Sequence, residues 1–179
     1  MQITRHIKGF WRDEGGTATI EMVIMFPLMM LMFMAAFETA LILTRQIMLE
    51  RTLDMSVRVL RLAQGVVTDA DAVRDTICSN TSMLPNCDTL LTIDLQVIDT
   101  TYEPPANDQI CAERDTVNNV VIRPDNTFNQ GGNNEFVLIR TCLVVDPILP
   151  FSGFGLSLAR DDSGGMHMSA SSIFVNEPS

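Results

Sequence analysis

Residues 16–43 read GTATIEMVIMFPLMMLMFMAAFETALIL. From Ile20 to Leu43 this is 24 residues, or about 36 Å as an α-helix at 1.5 Å per residue. The run from Met22 to Phe37 is almost wholly apolar, and apolar character resumes from Ala40. A hydrocarbon core about 30 Å thick needs about 20 such residues, and tilt absorbs the surplus. A buried helix of a soluble domain is the competing reading. It is disfavoured because such helices rarely stay apolar on every face for so long. Pro27 removes one backbone donor and predicts a kinked or loosened turn before it. Six methionines fall between Met22 and Met34, and lipid accepts them as it accepts leucine.

Working outward, Arg5, Lys8 and Arg12 precede the span. By the positive-inside rule they place the N-terminus in the cytoplasm and the rest across a bacterial inner membrane. Arg45, Arg51, Arg58 and Arg61 lie on the far side, interleaved with Glu50 and Asp54; a translocated domain tolerates such charges. An ordinary secretory signal fits poorly, since the apolar stretch is too long and no A-x-A-like cleavage site follows it. Past residue 16 the chain holds nine cations against twenty anions. That acidity excludes nucleic acid as a partner.

Cys78, Cys87, Cys111 and Cys142 all follow the span. An even count in a translocated domain reads as two disulfides. There is no C-x-x-C pair, and neither His6 nor His167 is near two cysteines in sequence, so no metal site is expected. Of the three possible connectivities, Cys78–Cys87 with Cys111–Cys142 is favoured. The first closes a short loop containing Pro85; the second ties a long loop to a strand. Loop entropy alone makes them worth about 2.7 and 3.7 kcal/mol.

Helical spacing continues over 44–64, with Met48, Met55 and Leu62 seven apart and Leu49, Leu53, Val59 and Leu60 beside them. No strong breaker precedes Gly65. One helix from about 17 to 63 is therefore expected, roughly 70 Å long, with an amphipathic outer half. A short second helix follows from Asp69 to Cys78, capped by Thr68 or Asp69. Alternation over residues 91–98, β-prone runs at 120–123 and 135–146, and the segment 166–175 read as strands. Asn129 to Asn134 reads as a turn, and 151–165 as a Gly-rich connection. The expected organisation is a leader at 1–16, a transmembrane helix at 17–43, its amphipathic extension at 44–64, and a periplasmic domain at 65–179. The fold class is α+β: a long N-terminal helix carrying a small antiparallel sheet.

Chemistry is sparse. No G-x-S-x-G, P-loop or H-E-x-x-H occurs, so no catalytic residue, cofactor or small-molecule substrate is assigned. Asn80-Thr81-Ser82 reads as a loop and Asp161-Asp162 as a solvated one, lacking the ordered ligand set calcium needs. The informative group is Glu21. A carboxylate in the first turn of a membrane helix is unfavourable by a few kcal/mol on insertion scales and needs a partner or a route to the headgroups. Glu38, nearer the outer end, is expected to reach the periplasmic headgroup region.

Arg12-Asp13-Glu14-Gly15-Gly16-Thr17-Ala18-Thr19-Ile20-Glu21-Met22 resembles the leader and helix start of TadE/TadF-like minor pilins (pseudopilins) of tight-adherence, or Flp, type IV pilus systems. Arg12, Gly16, Ala18, Glu21 and Pro27 fit that pattern. Phe26-Pro27 stands where Leu-Pro is commoner, and Glu14-Gly15 replaces a more usual basic residue. The resemblance is specific over residues 10–62 and weaker elsewhere. It implies a type IV pilin-like fold and cutting by a prepilin peptidase between Gly16 and Thr17. It also implies that Glu21, fifth in the mature chain, meets the amine of a neighbouring pilin. The alternative is an unprocessed single-pass protein with a periplasmic binding domain.

Overall fold

The computed structural model describes residues 17–62, 69–98, 111–115, 120–148 and 163–176. Helix α1, Thr17–Leu62, is one 46-residue element that runs through Pro27. Among the described residues it is the helix long and apolar enough to cross a membrane. Most of its first half is exposed, including Ile20, Val23, Leu31 and Phe33, as expected of a surface facing lipid tails.

The covered face of α1 is a single stripe. Ala35, Glu38, Leu49, Leu53, Val57 and Leu60 are buried. Ile42 packs against the same core, and the Gln46 side-chain amide donates to Ser169 O at 2.9 Å. Steps of three and four residues keep these positions on one side of a 3.6-residue helix. Of the apolar positions expected to line the stripe, Leu49, Leu53 and Leu60 are buried, whereas Met55 is 38% exposed and Val59 56%. Thr52 and Ser56 are buried as well. Their hydroxyls donate back to Met48 O and Thr52 O, both at 2.9 Å. This local bonding makes small polar side chains tolerable against the sheet.

Helix α2, Ala70–Ser79, begins where the Asp69 carboxylate accepts from Ala72 N at 2.7 Å, an N-cap worth about 1 kcal/mol. The short α3, Cys87–Leu90, follows. Strands β1 (Thr92–Ile98), β4 (Phe136–Val145) and β5 (Met166–Val175) form an antiparallel sheet in the order β1-β4-β5. A separate hairpin pairs β2 (Glu113–Asp115) with β3 (Val120–Ile122). β2 and α3 carry no periodic signal long enough to read in sequence.

The alternating set Val137, Ile139, Thr141, Leu143 and Val145 is buried and joins Leu49, Leu53, Val57 and Leu60 of α1 in one core. Cross-strand pairing fixes the register: Ile93 faces Thr141, which faces Ala170. The turn before β4 uses Gly131 at φ +70°, where a Cβ would come within 2.9 Å of Val97 Cγ2. Asn176 latches this turn by donating its side-chain amide to Gln130 O and Gly132 O. The result is α+β: a long apolar N-terminal helix followed by a small antiparallel-sheet domain, the pilin-like layout.

Candidate functional site

Two regions carry the sequence-derived site residues. The first is the start of α1. Gly16 and the leader lie outside the described residues, as do Asp161 and Asp162. Thr17 is the first residue of α1. Glu21 stands four residues further, about 6 Å along the axis. It is exposed, and no hydrogen bond or ion pair joins it to another described residue. Its neighbours Ile20, Met22, Val23, Ile24 and Met25 are all more than half exposed. The carboxylate is thus presented outward among apolar side chains.

Glu38 behaves differently from its expected reach toward headgroups. It is only 4% exposed and is engaged by an interaction within the chain. It lies on the stripe that the rest of the chain covers, so its side chain turns inward. Sequence reasoning missed this because burial there depends on contacts distant in sequence.

The second region is the cystine framework. Cys78 is bonded to Cys87, with Cα atoms 5.6 Å apart, tying the end of α2 to the start of α3. Cys111 is bonded to Cys142, with Cα atoms 5.0 Å apart, tying the segment before β2 to β4. Cys142 is paired in register with Thr92 and Ser169, so the bridge lies on the sheet face opposite α1.

That opposite face holds a polar centre no motif announced. Asp94 is 2% exposed. Its carboxylate accepts from Arg140 Nη2 at 2.8 Å and Nε at 3.1 Å. It also accepts from Gln96 Nε2 at 3.0 Å and from Thr127 N at 3.1 Å. Nearby backbone bonds, Leu95 N to Thr127 O and Asn129 N to Leu95 O, hold residues 127–129 along the outer edge of β1. Asp94 therefore joins β1, β4 and this edge segment. At the end of the sheet, Arg114 makes a two-pronged pair with Asp146 at 2.7 and 2.9 Å.

The family model for TadE-like proteins matches residues 16–58, about a quarter of the 179 residues. The match covers the apolar part of α1 and most of its continuation, and includes Gly16, Thr17 and Glu21. It suggests a protein associated with a tight-adherence pilus and interacting with other components of it. No curated protein and no solved structure is similar enough to the chain to count as a match.

Proposed function

We propose that this chain, TadE-like over its apolar helix, is a minor pilin or pseudopilin that acts in assembly of a tight-adherence (Flp, type IVb) pilus. A prepilin peptidase cuts between Gly16 and Thr17. The chain spans the bacterial inner membrane once, with residues 1–16 cytoplasmic, 17–43 in the bilayer, 44–64 extending the helix and 65–179 in the periplasm. Its partners are other pilins and pseudopilins, the peptidase and the membrane. It is not an enzyme.

The observation that carries this reading is Glu21. An exposed carboxylate without a partner among the described residues stands one turn inside an apolar helix, within the segment matching the family model. Cleavage would give Thr17 a free ammonium on every subunit. A carboxylate facing lipid is costly; facing a neighbour's ammonium it gains a charge-assisted hydrogen bond, worth about 1.5–3 kcal/mol. The gain appears only when subunits are in register, so the pair favours correct docking.

The test is Glu21→Ala in cells with the complete pilus machinery. Alanine keeps helix propensity. The variant should accumulate in the membrane with both disulfides formed and be absent from sheared pili. Glu21→Asp should restore only part of the incorporation. Normal pili with normal co-purification of partners would refute the assembly role. Loss of the variant from the membrane would instead make Glu21 an insertion or stability residue.

A further inference from the structure

We infer that the cleft between α2, the start of β1 and residues 123–126 is a carboxylate-binding site. Its volume is about 170 Å³, small beside the roughly 300–1,000 Å³ of pockets that take cofactors or drug-sized ligands. It has room for one acidic group and a few waters, each taking about 30 Å³ in the liquid. Arg74 and Arg123 both line it.

Each guanidinium is held by bonds that leave donors over. Arg74 is 9% exposed. Its Nε donates to Leu91 O at 2.9 Å and its Nη1 to the Asp71 carboxylate. Arg123 donates from Nε to Thr89 O at 3.2 Å and from Nη2 to Asp88 O at 2.8 Å. A guanidinium has five N–H donors. Among the described residues, the Nη2 of Arg74 and the Nη1 of Arg123 have no partner. The carbonyls of Leu91 and Thr89 are two residues apart, at most about 7 Å along the chain. Both guanidiniums are thus anchored at neighbouring points and border the same opening.

The nearby acids do not use up this donor capacity. Asp71 is 74% exposed at its side chain, so its pairing with Arg74 is largely screened. Asp125 lines the cleft but bonds to neither guanidinium. Two pre-oriented guanidiniums matched to planar oxygen pairs are the arrangement that recognises carboxylates. The lining of the cleft holds two cations, Arg74 and Arg123, against one acid, Asp125, in a chain of net charge −10. The site stands whether or not the chain joins a pilus. The carboxylate could come from an acidic side chain or C-terminus of another protein, or from a free small acid.

The experiment uses isotopically labelled full-length chain in detergent micelles, titrated with acetate at constant ionic strength against chloride. Saturable movement of the Arg74 and Arg123 Nε–Hε resonances is expected. Arg123→Gln should weaken the apparent affinity about tenfold, equivalent to about 1.4 kcal/mol. Asp125→Asn, which removes no hydrogen bond seen in the fold, should tighten it severalfold. Amidated acidic tripeptides, and neutral peptides with a free C-terminus, test the protein source. Tighter binding of either than of acetate supports it, whereas equal or weaker binding supports the site with a free acid as its ligand. No saturable response, or one that neither substitution changes, overturns the proposal.

Discussion

Replacing Asp94 with alanine should be the most damaging single substitution in the sheet outside the apolar core. The Asp94 and Arg140 side chains are 3% and 13% exposed, and they face each other across β1 and β4. Removing one partner of a buried pair leaves the other charge uncompensated, at a cost of about 3–5 kcal/mol. Here the Thr127 amide also loses its acceptor, and with it one attachment of the edge segment. Against a typical stability of about 5–15 kcal/mol, that is a large fraction. The assay is urea denaturation of the full chain in micelles with disulfides intact, followed by circular dichroism. Asp94→Ala should shift the midpoint by the equivalent of 3 kcal/mol or more. The double substitution Asp94→Leu with Arg140→Met should recover much of that loss, because an apolar pair of similar volume is often neutral or better. A double-mutant cycle isolates the coupling. A cost below about 1 kcal/mol with no coupling would place Asp94 among screened surface charges and refute the reasoning.

Three further outcomes follow from other parts of the fold. A Cβ at Gly165 would overlap the Arg114 guanidinium and come within 2.7 Å of Val144 Cγ1. Gly165→Ala should therefore lower the thermal midpoint by the equivalent of about 1–3 kcal/mol, as overpacking does. Asp146→Ala should change stability by less than about 1 kcal/mol, since its side chain is 61% exposed and exposed pairs are weak. Serine replacement of both Cys111 and Cys142 should destabilise more than replacement of Cys78 and Cys87, about 3.7 against 2.7 kcal/mol by loop entropy. Matched denaturant titrations compare the two.

The parts of this fold legible in sequence are those set by long local patterns. The apolar run before Leu43 announces α1, and strict alternation over Val137, Ile139, Thr141, Leu143 and Val145 announces β4 and its buried face. What sequence obscured depends on partners far away in the chain. Asp94 sits at an outward position of β1, where alternation predicts solvent; residues 127–129 cover its edge and Arg140 neutralises it. On α1, Leu49, Leu53 and Leu60 are legible as positions that face the domain, whereas the burial of Thr52 and Ser56 is not, because it relies on hydroxyls satisfied within the helix. Glu38 was misplaced for a related reason: a long acidic side chain can turn toward water or toward its own chain, and local sequence does not choose between them. The position of Glu21 was legible, but the role proposed for it requires a second subunit.

The most direct test of the pilin account is the N-terminal residue of the chain recovered from sheared pili, read by intact mass and terminal sequencing. The account predicts a mature chain beginning at Thr17, with its mass reduced by the sixteen leader residues. A chain that retains Met1 in cells carrying the full machinery would contradict it and make this protein a permanent membrane anchor.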